Sequence, residues 1–340
     1  MTSKVNCRRF LAISYLASFA ITSATSLPWA VAAEDWLQWR GPNRDSQAAS
    51  TPSWPNSLAA EHLVEQWRVP LGPSYSGPIV VGDRVFTTET REKQSEFVFA
   101  FDRRSGDEIW SASWPGAMQV PFFANANGSW IRATPACDGK RLFVAGMRDV
   151  LVCLDVASGD ELWRVDFVQR YGTPLPGFGF ASSPLVVGQH VYVQAAQSLV
   201  KLDASSGETV WRSAVDTASG YNSPFSSPTI GTLAGREQIL LQTRTALKGI
   251  DPISGDELWS QDIQAFRGMN ILTPTVYQDS VFTSAHSGRA QLWRVANPTG
   301  QPGAVNELWS SKAQAYMSSP VVIGDHLYLH LKNQRLSCLN

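Results

Sequence analysis

Eleven of the 29 acids of this 340-residue chain fall in a repeated phrase. It reads "DRRSGDEIW" from Asp102 to Trp110, "DVASGDELW" from Asp155 to Trp163, "DASSGETVW" from Asp203 to Trp211 and "DPISGDELW" from Asp251 to Trp259. Met once, such acids would suggest a catalytic group or oxygen ligands for a hard cation. Calcium, for example, takes six to eight oxygens. Met four times along the chain, they cannot all converge on one ion. The other reactive side chains assemble no better. The histidines His62, His190, His286, His326 and His330 stand at unrelated positions. His326 and His330 could share a strand face, but two ligands do not make a zinc site. No GxSxG, HExxH or phosphate-cradling glycine loop occurs.

The phrase has a constructional use. Aspartate at the start of a turn accepts backbone N–H groups. Glycine four residues later supplies a positive φ, as Gly106, Gly159, Gly207 and Gly255 do here. The tryptophan that follows can bury a large apolar area. Trp67, Trp110, Trp163, Trp211, Trp259 and Trp309 are 43, 53, 48, 48 and 50 residues apart. Between them a small residue and a proline open each apolar run, at Pro78, Pro135, Pro184, Pro228, Pro274 and Pro320. Within one unit, "PLVVGQHVYVQAA", "SLVKLD" and "ETVWRSAV" read as four short strands rich in β-branched and aromatic residues. Six units of about four strands each imply an all-β fold, a β-propeller of four-stranded blades joined by tryptophans.

The pattern Ala-x-Asp-x-x-Ser/Thr-Gly-x-x-x-Trp resembles the tryptophan-docking motif of pyrroloquinoline-quinone (PQQ)-type propeller repeats. Ala100 to Trp110 matches every fixed position, while Cys153, Lys201 and Gly249 fill the first slot of the other copies. The resemblance covers about 270 residues. It implies one of two roles: a quinoprotein dehydrogenase, or a non-catalytic BamB-like scaffold of outer-membrane protein assembly. Asp35 to Ser46, "DWLQWRGPNRDS", also resembles the start of mature secreted PQQ-repeat proteins. Two copies depart from the motif. Ala296 stands where aspartate belongs, and Asn340 takes that slot in the last unit. Head and tail together could complete one blade around Trp67, which predicts a closed six-unit ring; a truncated seven- or eight-bladed ring is the alternative.

Residues 1–33 carry Lys4, Arg8 and Arg9, a short apolar run and small residues at Ala30, Ala32 and Ala33. This is the layout of a cleaved signal peptide, which predicts a periplasmic or secreted protein. Its removal takes three bases and no acid, leaving a net charge of −4. Residues 34–66 are expected as an N-terminal extension and 67–340 as the propeller. Cys137, Cys153 and Cys338 form no disulfide framework, although the first two share a blade and could pair.

The PQQ reading needs an acid-rich calcium site, and in the alcohol enzymes an adjacent cysteine pair. Neither is visible, so no catalytic, cofactor or metal residue is assigned. The best candidates for binding are the loops before the six proline-marked strands, which should meet on one face at the channel mouth. They carry Tyr75, Trp130, Arg132, Phe180, Phe225, Arg267, Asn270 and Tyr316. Aromatics and arginine suit a protein interface, or a small ligand held there. The expectation is therefore a non-catalytic scaffold for a protein or small-molecule partner. The alternative is a PQQ-dependent oxidoreductase acting on alcohols or sugars.

Overall fold

Runs of Val, Ile, Leu and Phe punctuated by Gly and Asp form extended strands wherever two faces can be buried. The computed structural model describes residues 35–48, 57, 59, 64–116, 118–217, 223–296, 305–315 and 317–340. Its strands form six antiparallel meanders, the blades of a propeller. Blade 1 comprises Ile79–Val81, Arg84–Arg91, Ser95–Asp102 and Glu108–Pro115. Blades 2 to 5 repeat this order from Ala136–Cys137, Leu185–Val187, Thr229–Leu233 and Thr275–Tyr277 onward. Blade 6 has three strands, Val321–Ile323, His326–His330 and Leu336–Leu339. In such a meander the turns after strands 1 and 3 lie at one end. The turns after strand 2 and the connection to the next blade lie at the other.

The repeated phrase builds the turn between strands 3 and 4. Asp155 Oδ1 accepts the N–H groups of Ala157 at 2.8 Å and Ser158 at 3.0 Å. Asp102, Asp203 and Asp251 cap their own turns in the same way. The glycine then faces the tryptophan of the preceding blade. Gly159 has φ +79°, and a Cβ there would lie 2.6 Å from Trp110. Gly106, Gly207 and Gly255 stand likewise against Trp67, Trp163 and Trp211. Each indole N–H seeks the carbonyl just after the turn aspartate: Trp67 donates to Arg103 O at 2.9 Å, Trp110 to Val156 O at 3.0 Å, Trp163 to Ala204 O at 3.1 Å. Trp211 departs from this, because Lys201 Nζ occupies the equivalent Pro252 carbonyl at 2.7 Å. Trp259 faces the unit that has Ala296 in place of aspartate, and it turns to Gln238 Oε1 within its own blade at 2.5 Å.

A second inter-blade device lies at the residue before each marker proline. Gly77 N donates to Thr134 Oγ1 at 3.0 Å, Thr134 N to Ser183 Oγ at 3.0 Å, Ser183 N to Ser227 Oγ at 2.9 Å and Ser227 N to Thr273 Oγ1 at 3.1 Å. Four equivalent amides, three of them in buried bonds, are thus satisfied by the next blade's hydroxyl. Between the blades, packed cores form around Phe143, Phe167 and Val193, around Phe86, Trp110 and Leu142, and around Leu240, Trp259 and Trp293.

The segment expected as an N-terminal extension is built into the fold. Trp36 bridges Val80 of blade 1, Leu37 O accepts Cys137 N of blade 2, and Gln38 Oε1 accepts Val186 N of blade 3. Arg44 donates to Pro228 O of blade 4 and to Ser183 O and Pro184 O. Arg40 donates to Pro320 O, and Gln47 to Val322 O at 3.0 Å, both in blade 6. Residues 35–48 therefore run along the first strands of five blades and plug the axis.

Three features differ from the expectations. Among the described residues no strand pairs with the outer edge of blade 6. Residues 64–70 form no ladder, and Trp67 instead docks on the Gly106 turn of blade 1. First and last blades are tied through the plug rather than through a shared sheet. A short helix, α1 (Phe167–Tyr171), interrupts the expected all-strand pattern. Asp166 caps its start by accepting Gln169 N, and Gly172 ends it at φ +64°. Cys137 and Cys153 are buried thiols in blade 2, and burial pushes both pKa values up to about 12. The signal segment lies outside the described residues, and among those described no helix is long and apolar enough to cross a membrane.

Candidate functional site: a pocket at the channel mouth

The blade-to-blade connections and the strand 2–3 turns share one end of the ring. Four of those connections converge there on a pocket of about 260 Å³. Phe123 and Asn127 come from the loop before blade 2, and Phe178 from the loop before blade 3. Ser223 and Phe225 precede blade 4, and Phe266, Arg267, Gly268 and Met269 precede blade 5. Turns between strands 2 and 3 add Arg244 and His286. The aromatic lining falls into two groups. Phe123 lies 6.1 Å from Phe178, Phe178 5.5 Å from Phe225, and Phe266 5.6 Å from the His286 ring. Phe123 sits on a 3-10 turn, Phe122–Asn127, beside Phe122, which is 85% exposed.

The sequence-derived residues divide. Phe225 and Arg267 line this pocket. Tyr75 and Trp130 stack 5.5 Å apart on an adjoining face, with Trp130 lining a second recess of about 430 Å³ beside Lys93. Arg132 lies over the Tyr75 ring and donates to Phe178 O at 3.0 Å, so it ties these two groups together. Phe180 and Asn270 are not surface groups. Phe180 is fully buried, edge-on to Phe167, and Asn270 is 1% exposed with its amide spent on Arg244 O and Ile263 O. In an irregular loop no period fixes which residue points inward, and Phe178, two residues earlier, is the one that faces the pocket. Tyr316 lies outside the described residues. Arg244, His286 and Phe123 were missed. The first two sit in turns that share no repeated wording, so only their position after strand 2 could have flagged them.

The pocket is cationic and apolar. No carboxylate lines it. Arg244 pairs with Asp216 at 2.6 Å. Burial, with the Lys332 charge behind it, lowers the His286 pKa, so the ring is neutral at pH 7. Such walls can hold an apolar group and an anion, but they offer no acid–base pair. PQQ with calcium would require converging oxygen donors. Among the described residues no three His, Cys, Asp or Glu side chains could hold a metal ion. The pocket does not supply the donors of that centre, and no step is derived through it.

Comparison with known proteins follows the architecture. The family model described as "Outer membrane protein assembly factor BamB" matches residues 94–340. Among solved structures the chain is similar to BamB from Moraxella catarrhalis, at 18% identity and a TM-score of 0.55, covering 79% of this chain and 72% of that one. It also matches quinohemoprotein alcohol dehydrogenase from Comamonas testosteroni at 14% identity and a TM-score of 0.47, covering 75% of this chain and 46% of that one. No curated protein sequence matches it. With a repeat that docks four tryptophans on the glycine turns of the following blades, and a family match over more than half its length, the chain belongs to the PQQ-repeat β-propeller family described by BamB.

Proposed function

We propose that the protein is a non-catalytic scaffold of the cell envelope that holds a partner at the channel mouth. The observation that carries this reading is the pocket itself: four loops on a rigid ring present aromatic rings and guanidinium groups, with no carboxylate for acid–base or metal work. The family's printed description, an outer membrane protein assembly factor, supports a role in assembling envelope proteins. The leader read in residues 1–33 supplies the route there. Affinity capture from an envelope fraction tests it. Wild-type protein should retain a partner that the Phe266→Ser variant loses, Phe266 being exposed enough to change without unfolding. Dye-linked oxidation of an alcohol or sugar, restored by adding PQQ and calcium, would overturn it in favour of a quinoprotein oxidoreductase.

A further inference from the structure

We infer that the mouth pocket recognises an acidic polypeptide segment, one of whose bulky apolar side chains enters between the phenylalanines. This rests on the scaffold reading and gives that site its partner's chemistry.

Two observations carry it. The first is shape. A recess of about 260 Å³ walled by Phe123, Phe178, Phe225 and Phe266 accepts one large side chain. A lipid surface is flat on this scale and would leave the recess unfilled. The second is charge. The whole chain carries one more acid than base, yet no carboxylate lines the pocket; Arg244 is balanced by Asp216, and Arg267 stands exposed at the rim. Lys332 stands 3.0 Å from the pocket's His286, and Arg132 adjoins Phe178. The acids of the docking turns lie at the opposite end, two in each of the four turns, as Asp155 and Asp160 show, and of the acids at the mouth end Asp216 is held by Arg244. A partner approaching this end meets a positive field, and a negative one is drawn in.

Arg267 has the position such recognition needs. It is exposed, lies over the Phe266 ring at 5.1 Å, and holds φ +53°, ψ 30°. A left-handed non-glycine residue is disfavoured and persists only where its surroundings impose it. Here Gly268 follows at φ +70°, so close to Arg244 that a Cβ would lie 3.1 Å from that side chain. The loop is bent so that a guanidinium stands at the rim beside an apolar wall.

The test is fluorescence anisotropy with labelled model peptides on the full chain. One peptide has a central Phe among Asp and Glu, a second has Ala for Phe, and a third has Lys for the acids. The acidic Phe peptide should bind, with affinity falling as salt rises. The Ala peptide should bind about tenfold or more weakly, and the Lys peptide should not bind. Arg267→Glu should weaken the acidic peptide about tenfold or more while leaving the melting temperature unchanged. Equal binding of the Lys peptide, or indifference to Arg267→Glu, would overturn the inference. So would flotation with phosphatidylglycerol vesicles that is lost in Arg267→Glu, since the face would then serve lipid. If all peptides fail while partner capture still depends on Phe266, the acidic-segment inference falls and the scaffold reading stands; if both fail, both fall.

Discussion

At the scale of single residues, the repeated glycine and one buried acid make the sharpest commitments. Gly159 is required twice, for φ +79° and for the approach of Trp110. Gly159→Ala combines a left-handed alanine with overpacking against an indole, and should cost about 2–4 kcal/mol in urea unfolding. Asp149 is buried and its carboxyl accepts Ala196 N at 2.8 Å, while Asp166 lies near enough to repel it. Burial is the main cause of a pKa raised from 3.8 to about 7. The folded state therefore holds this proton more tightly than the unfolded chain does. The stability it contributes is complete below the unfolded pKa and is lost as pH rises through about 7. Glu96, fully buried against Trp114 and Met147 N, shifts in the same direction. The Asp149→Asn variant should flatten the decline in melting temperature between about pH 4 and 7, retaining the bond to Ala196 through the amide oxygen.

At the scale of elements, each blade makes its own meander from local pattern, and tryptophan staples join blades 1 to 4 while hydroxyl bonds join blades 1 to 5 in series. Ser183 Oγ accepts the buried Thr134 amide. Ser183→Ala should cost about 1–3 kcal/mol by leaving that donor unmet, and Ser183→Thr should restore stability, because Thr already fills this place at positions 134 and 273. The comparison of the three melting curves checks it. The blade pattern was legible because period-2 runs, Asx-turns and glycines act within ten residues of each other. The Ser/Thr-Pro marker was legible too, but only as the start of a strand. Its hydroxyl serves an amide some 45 residues away, and nothing local signals that. The same limit hid Lys201, whose ammonium takes the carbonyl that Trp211 would otherwise use. Loop residues were the least legible: Phe178 and Phe180 have the same type and nearly the same position, yet one faces the pocket and the other the core.

At the scale of the molecule, the ring is held by what occupies its axis as well as by its blades. In the sequence, Asp35 to Ser46 show a likeness to secreted relatives but no physical task. Arg44 is their anchor. Burial lowers its pKa to about 9, so it remains charged at pH 7, and it spends that charge on the carbonyls of Ser183, Pro184 and Pro228. Arg44→Met leaves those acceptors without a donor and unties blades 3 and 4. It should cost about 3–5 kcal/mol and broaden the unfolding transition. A ring held in this way presents two unlike ends, one carrying the acidic docking turns and the other the aromatic, basic mouth. On this reading the mouth is the working end. Site-specific photo-crosslinking separates the two ends directly, with benzoylphenylalanine placed at Phe266 on the mouth or at Ile253, 82% exposed on a docking turn. The account predicts a partner adduct in envelope preparations from position 266 and none from 253; adducts from 253 alone would contradict it.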